Sequence, residues 1–179
     1  GISGYEEAEF LKRKGIDVII TDHHQPMNRD LPAAFCIINP LQPGCDYPFK
    51  YLSGVGLAFK LSQAVTGMDL FEHLDLVTLG TISDVAPMLD ENRILIKHGL
   101  GQLSKTKKIG LVKLLEKAGL KGKDITTMHS GFILGPRLNA TGRIGSAENS
   151  LKLLLTDSAD EAEQLALQLN ENNRTRQQL

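Results

Sequence analysis

The stretch DVIITDHHQP, Asp17 to Pro26, carries three apolar residues and a threonine straight into an aspartate, two adjacent histidines and a proline. Branched aliphatic residues favour a pleated, buried environment, so the run predicts a strand at about Asp17 to Ile20, ended by the loop HHQPMNRDLP. A second short apolar strand is expected at about Phe35 to Ile38, with a helix ahead of both. This is the alternation of a parallel α/β sheet. Side chains at the carboxyl end of such a strand face the crevice where ligands bind, and Asp22, His23 and His24 fall there.

Working outward, GISGYEEAEFLKRKG predicts the leading helix, with Ser3 and Glu6 spaced as a capping box and Gly15 as its stop. Beyond the Pro- and Gly-rich connection NPLQPGCDYP the pattern turns helical. SGVGLAFKLSQAVTG, DLFEHLDLVTLGTISDVAPM, ENRILIKHGLGQLS, GLVKLLEKAG and GSAENSLKLLLT are each bounded by Gly, Pro or Asp. LVTLGTI also suits a buried strand, but Leu70, Leu74 and Val77 keep helical spacing, so it is read as helix. A second capping box, Ser158 with Glu161, opens about 21 helical residues, roughly 30 Å long, with no stop signal. The expected fold class is α/β: a partial parallel sheet, a helix-rich region and a long C-terminal helix. The expected units are residues 1–50, 51–156 and 157–179, the last being the start of a linker helix. No initiating methionine is present, and the last helix lacks a stop, so the chain is expected to belong to a larger protein.

Composition limits the function. With 179 residues, 41% hydrophobic and 23% charged, the chain can bury a substantial core. A formal charge of -1 gives no whole-molecule attraction to a polyanion, so nucleic acid would have to meet a local basic patch or bound cations. Cys36, in the apolar run AAFCIINP, is expected to be a buried thiol, and Cys45 a loop thiol; neither has metal-ligand spacing, and a disulfide is not expected. No apolar run reaches the roughly 20 residues of a membrane span, and no signal-peptide pattern opens the chain, which reads as cytoplasmic.

Three groups of residues carry chemistry. Asp22, His23 and His24 offer a carboxylate and two imidazoles at a strand end. Neighbouring residues point in different directions, so one histidine would ligate a metal ion while the other meets substrate. Asp84, in LGTISDVAPM, ends a long apolar element, where a buried carboxylate requires a cationic partner. Arg137, Asn139 and Arg143, in GPRLNATGR, supply guanidinium and amide donors among glycines, a grouping suited to phosphate. Each group has a plain structural alternative: a histidine satisfying a loop carbonyl, a helix-terminal aspartate facing water, a polar turn between helices. KTKK, Lys105 to Lys108, reads as a solvated loop, and His73, His98 and His129 carry no motif.

The ordered set VIITDHHQP, LPAAFCIINP, SGVGLAFKL, LDLVTLGTISDVAPM, ENRILIKHGL, GPRLNATGR and LNENNRTRQ resembles, over essentially the whole chain, the RecJ-type exonucleases of the DHH phosphoesterase superfamily. That resemblance implies 5'-to-3' hydrolysis of single-stranded DNA in repair and recombination. It makes His23 and Asp84 metal ligands, sets His24 against the phosphate with Asp22 in support, and puts Arg137, Asn139 and Arg143 on the nucleic-acid side. It implies a two-metal site of manganese or magnesium in the intact enzyme, completed by carboxylates ahead of Gly1, so that residues 1–179 alone are expected to be inactive. The partners it implies are single-stranded DNA, a single-strand-binding protein and a helicase, for a monomer away from membranes. A DHH phosphodiesterase acting on oligonucleotides or cyclic dinucleotides, and a non-catalytic DHH-like replication scaffold, remain as alternatives.

Overall fold

In the computed structural model the protein is described at residues 1–27, 30–144 and 147–178, with the side chains of 140–144 left aside. Asn28 and Arg29 of the expected loop, and Gly145 and Ser146 at the start of GSAENSLKLLLT, lie outside the described residues. The elements are α1 Tyr5–Arg13, β1 Ile19–Thr21, β2 Cys36–Ile38, α2 Gly54–Thr66, α3 Leu74–Ser83, α4 Asp90–Ser104, α5 Ile109–Lys117, α6 Gly135–Ile144, α7 Glu148–Leu155 and α8 Ala159–Gln178. A 3-10 turn, Phe71–His73, leads into α3, and a π-helical turn, His129–Leu134, leads into α6. Strands β1 and β2 pair in parallel, with Ile19, Ile20 and Thr21 opposite Cys36, Ile37 and Ile38. The fold is mixed α/β, with a small sheet and a helix-rich remainder.

Helix ends follow the expected chemistry in some places and not in others. Ser53 caps α2, its hydroxyl accepting from Gly56 N at 3.2 Å, and Gly67 closes it at φ +68°. At α1 the capping box does not form: Gly4 is the cap and no side chain bonds it. At α8 half of the box forms. Ser158 Oγ accepts from Glu161 N at 3.3 Å, while the Glu161 carboxylate takes the Thr156 hydroxyl instead. GPRLNATGR is a helix rather than a turn, because Pro136 stands in its first turn, where the missing N–H costs no hydrogen bond.

The segment LVTLGTI is helical because it is enclosed from two sides. Leu74 and Val77 pack with Phe49, Leu52, Leu57, Phe59 and Leu95. Leu79 packs into a second core of Leu103, Leu111, Leu114, Leu134, Leu153 and Leu169. A helix buried all round loses its polar stripe, which is why the sequence alone also suited a strand. At Gly99 a Cβ would fall 1.9 Å from Thr78 Oγ1 and 2.3 Å from the Leu74 carbonyl oxygen, so α4 meets α3 at backbone contact. The face of α8 carrying Ala162, Ala166, Leu169 and Asn173 is buried in the same body.

Two further expectations are corrected. Cys36 is exposed, as is its strand partner Ile19, because no described residue covers that side of the short sheet; both cysteines are free thiols. KTKK is only partly a solvated loop. Lys108 Nζ lies 2.8 Å from Asp75 Oδ1, and Thr106 Oγ1 donates to Asp75 Oδ2 at 2.7 Å, compensating a carboxylate that is 2% exposed. Among the described residues no helix is long and apolar enough to cross a membrane.

Candidate metal and phosphate site

Strand β1 stops at Thr21, and the next three side chains turn into one cluster. Asp22 is its hub. Oδ2 accepts from Ile2 N at 2.6 Å, and Oδ1 accepts from the backbone N–H groups of His23 and His24 at 2.7 and 3.0 Å. The His24 ring joins through Nδ1, 2.6 Å from the same oxygen. Desolvation pushes the Asp22 carboxyl up, but donation from His24, Ile2 and His23 outweighs it and holds the group well below the usual carboxylate range. Gly1 lies close enough that a Cβ there would fall 2.2 Å from Asp22 Oδ2.

The two imidazoles lie side by side, centroids 4.4 Å apart, and face different carboxylates. His24 Nδ1 meets Asp22, whereas His23 Nε2 stands 3.6 Å from Asp84 Oδ2. The His23 ring also rests over Gly54, at the start of α2. Asp84 is the C-cap of α3, and its side chain is 42% exposed, so the expectation of a buried carboxylate does not hold. Its position is nonetheless firm. Asp84 N donates to the Gly80 carbonyl, and a buried bond between Ser53 Oγ and Thr81 Oγ1, 2.7 Å, ties α3 to the start of α2. One ligand atom each from Asp22, His23 and His24 can be chosen within 4.8 Å of one another, so the structure does bring both imidazoles to one place.

His23, His24 and Asp84 open on a cleft of about 320 Å³ that Lys50, Tyr51, Val85 and Pro87 also line. A larger cavity, about 670 Å³, lies by Asp75 and Lys105 to Lys108 at the other end of α3. There the carboxylate of Asp75 is already paired, so the smaller cleft is the candidate site. Of the phosphate candidates, Arg137 is partly turned inward, its Nε donating to Asn170 Oδ1 at 3.0 Å and Nη1 to the Ile133 carbonyl at 2.7 Å. Burial lowers its pKa, and the neighbouring positive charge of Arg174 lowers it further. Asn139 is exposed on α6, and the side chain of Arg143 lies outside the described residues. The helix α6 begins beside the site, since a Cβ on Gly135 would fall 2.5 Å from the hydroxyl of Ser83, the neighbour of Asp84.

Sequence reasoning missed Asn39. It is 1% exposed; Nδ2 donates to the His24 carbonyl at 2.9 Å, and Oδ1 accepts from Leu41 N at 2.8 Å. The only signal was an asparagine before Pro40 at a strand end, which reads as an ordinary turn. Asn39→Ala is expected to lower stability by about 1 to 3 kcal/mol, because it leaves buried groups unpaired. Urea denaturation checks this, and an unchanged midpoint would show that the loop holds itself.

Comparisons with known proteins give relatives by sequence and by fold. Residues 1–81 match the DHH family, N-terminal domain. Over its full length the chain is 46% identical to the single-stranded-DNA-specific exonuclease RecJ of Bacillus subtilis and 40% identical to that of Escherichia coli. It covers 23% and 34% of those two proteins, so it spans about a quarter to a third of the length of such relatives. The crystal structure of RecJ from Thermus thermophilus in complex with Mn2+ superposes with a TM-score of 0.86 at 37% identity, over 99% of this chain and 27% of that one.

Proposed function

We propose that this chain forms part of the catalytic core of a metal-dependent exonuclease that hydrolyses single-stranded DNA from its 5' end. The observation that carries the reading is His23 Nε2 facing Asp84 Oδ2 across 3.6 Å, from two distant segments. Two ligands at right angles on a divalent ion, with bonds of about 2.1 Å, sit about 3 Å apart, so this pair fits one ion with little movement. Carboxylate and imidazole donors without thiolate suit manganese or magnesium, the former being the ion in the complex of the Thermus thermophilus protein. A bound divalent ion supplies charge neutralisation on the phosphate and a lowered pKa for bound water.

The protein's own groups do the rest. With its proton at Nδ1 held by Asp22, His24 leaves Nε2 free toward the cleft, where it meets a phosphate oxygen or the departing oxygen. Asp22 sets that tautomer and the ring's orientation, the role a carboxylate plays behind a working histidine. Arg137, Asn139 and Arg143 stand on the helix that starts against Ser83, and the proximity of the Arg137 and Arg174 charges favours an anion on that side. A single-strand-binding protein and a helicase that exposes 5' ends are the partners this reading calls for, in the cytoplasm.

The test is the full-length protein with manganese on 5'-labelled single-stranded and double-stranded DNA. Release of label from the single strand, abolished by EDTA and restored by manganese, is the expected result. Cleavage confined to oligonucleotides of a few residues, or to cyclic dinucleotides, would replace the proposal.

A further inference from the structure

The cleft beside His23 and Asp84 has an apolar lip for which metal binding gives no reason. Tyr51 and Val85 line it and are 56% and 86% exposed. Val85 has φ +57°, the left-handed region that a β-branched residue avoids. It occupies the position after the α3 C-cap, where glycine is the default. The two bonds of that motif are present, Val85 N to the Ile82 carbonyl and Ala86 N to the Thr81 carbonyl. So exposed a side chain recovers little by burial, and a strained residue of this kind beside an active site points to function.

The two residues belong to different segments that one buried side chain ties together. Asn92, fully buried, donates from Nδ2 to the Tyr51 carbonyl at 2.7 Å and to the Pro87 carbonyl at 3.0 Å. Its Oδ1 has no partner among the described residues, a cost accepted for holding both walls. The Tyr51 ring is steadied edge-on against Phe49, with centroids 6.0 Å apart.

We propose that Tyr51 and Val85 form a nucleoside-binding lip, gripping the base and sugar attached to the phosphate that faces His23 and Asp84, with Asn92 as a positioning residue. A nucleotide presents an anionic phosphate next to an apolar base face, and the cleft presents His24 and Lys50 next to an aromatic and an aliphatic side chain. Stacking on a tyrosine serves any base, because every base has a π-face, so the lip gives grip without sequence preference. This assignment rests on the single-stranded-DNA reading above.

The experiment compares wild type, Tyr51→Ala, Tyr51→Phe and Val85→Gly in the full-length protein. The substrates are single-stranded oligonucleotides whose first 5' positions carry normal or abasic nucleotides. Tyr51→Ala is expected to raise KM on the normal oligonucleotide about 10-fold with kcat within about twofold, and Tyr51→Phe to keep wild-type values. On the abasic oligonucleotide wild type and Tyr51→Ala should coincide. Val85→Gly should raise KM while leaving the thermal midpoint unchanged or higher, since the strain goes with the side chain. Equal losses on both substrates, or a lowered midpoint at unchanged KM, would overturn the lip. A wild-type protein without exonuclease activity would instead overturn the functional reading and the lip with it.

Discussion

Asp84→Asn in the full-length protein is expected to weaken manganese binding on the order of 100-fold and to reduce turnover at least as much, whereas His24→Ala should leave affinity within a few-fold and lower kcat about 100- to 10,000-fold. The difference comes from where each ring nitrogen points. His23 Nε2 and Asp84 Oδ2 face each other, so removing the anionic oxygen leaves only the neutral imidazole of that pair to face a dication. His24 is bound at Nδ1 by Asp22 and offers only Nε2, whose loss removes a proton or hydrogen bond from the reacting phosphate. Loss of ligand charge and loss of a transition-state contact are separate free-energy terms, and metal titration alongside kinetics separates them. Both imidazoles lie within reach of one ion, so equal losses of affinity in the two variants would show that they share it.

Lys108→Met carries the largest expected effect on folding, about 3 to 5 kcal/mol, because it leaves the Asp75 carboxylate buried without a cation. Lys108 also donates to the Glu72 carbonyl at 2.7 Å, fastening the segment that leads into α3. The double variant Asp75→Asn with Lys108→Met should recover much of the loss, since removing both charges removes the desolvation penalty with the attraction. Urea midpoints for the two single variants and the double variant measure this. Additive losses would show that the Lys108 and Asp75 charges are not coupled. The variant bears on function too, because α3 carries Asp84 at its far end.

Asp22, His23 and His24 were legible in the sequence because they are contiguous and follow a strand, and local order alone puts them at its carboxyl end. Asp84 was legible as a carboxylate ending an apolar element, and its helix was legible from the spacing of Leu74 and Val77, although Leu70 stands ahead of it at φ +52°. The cap at Ser158 is local as well, formed within three residues. Such features depend on φ, ψ and near neighbours, which a sequence states directly.

What only the tertiary structure decided depends on residues far apart in the chain. Asn39 reaching the His24 carbonyl, Asn92 joining Tyr51 to Pro87, and Lys108 neutralising Asp75 each close a long loop, and no local spacing encodes such pairings. The same holds for Cys36: an apolar strand residue is read as buried, and whether the sheet face is covered depends on which elements pack there. The sequence by itself determined the donor atoms of the candidate site and which strand and helix ends carry them. The packing of α2, α3 and α4 determined that His23 faces Asp84, because only close contact between whole helices can bring two side chains from separate segments to one point in space.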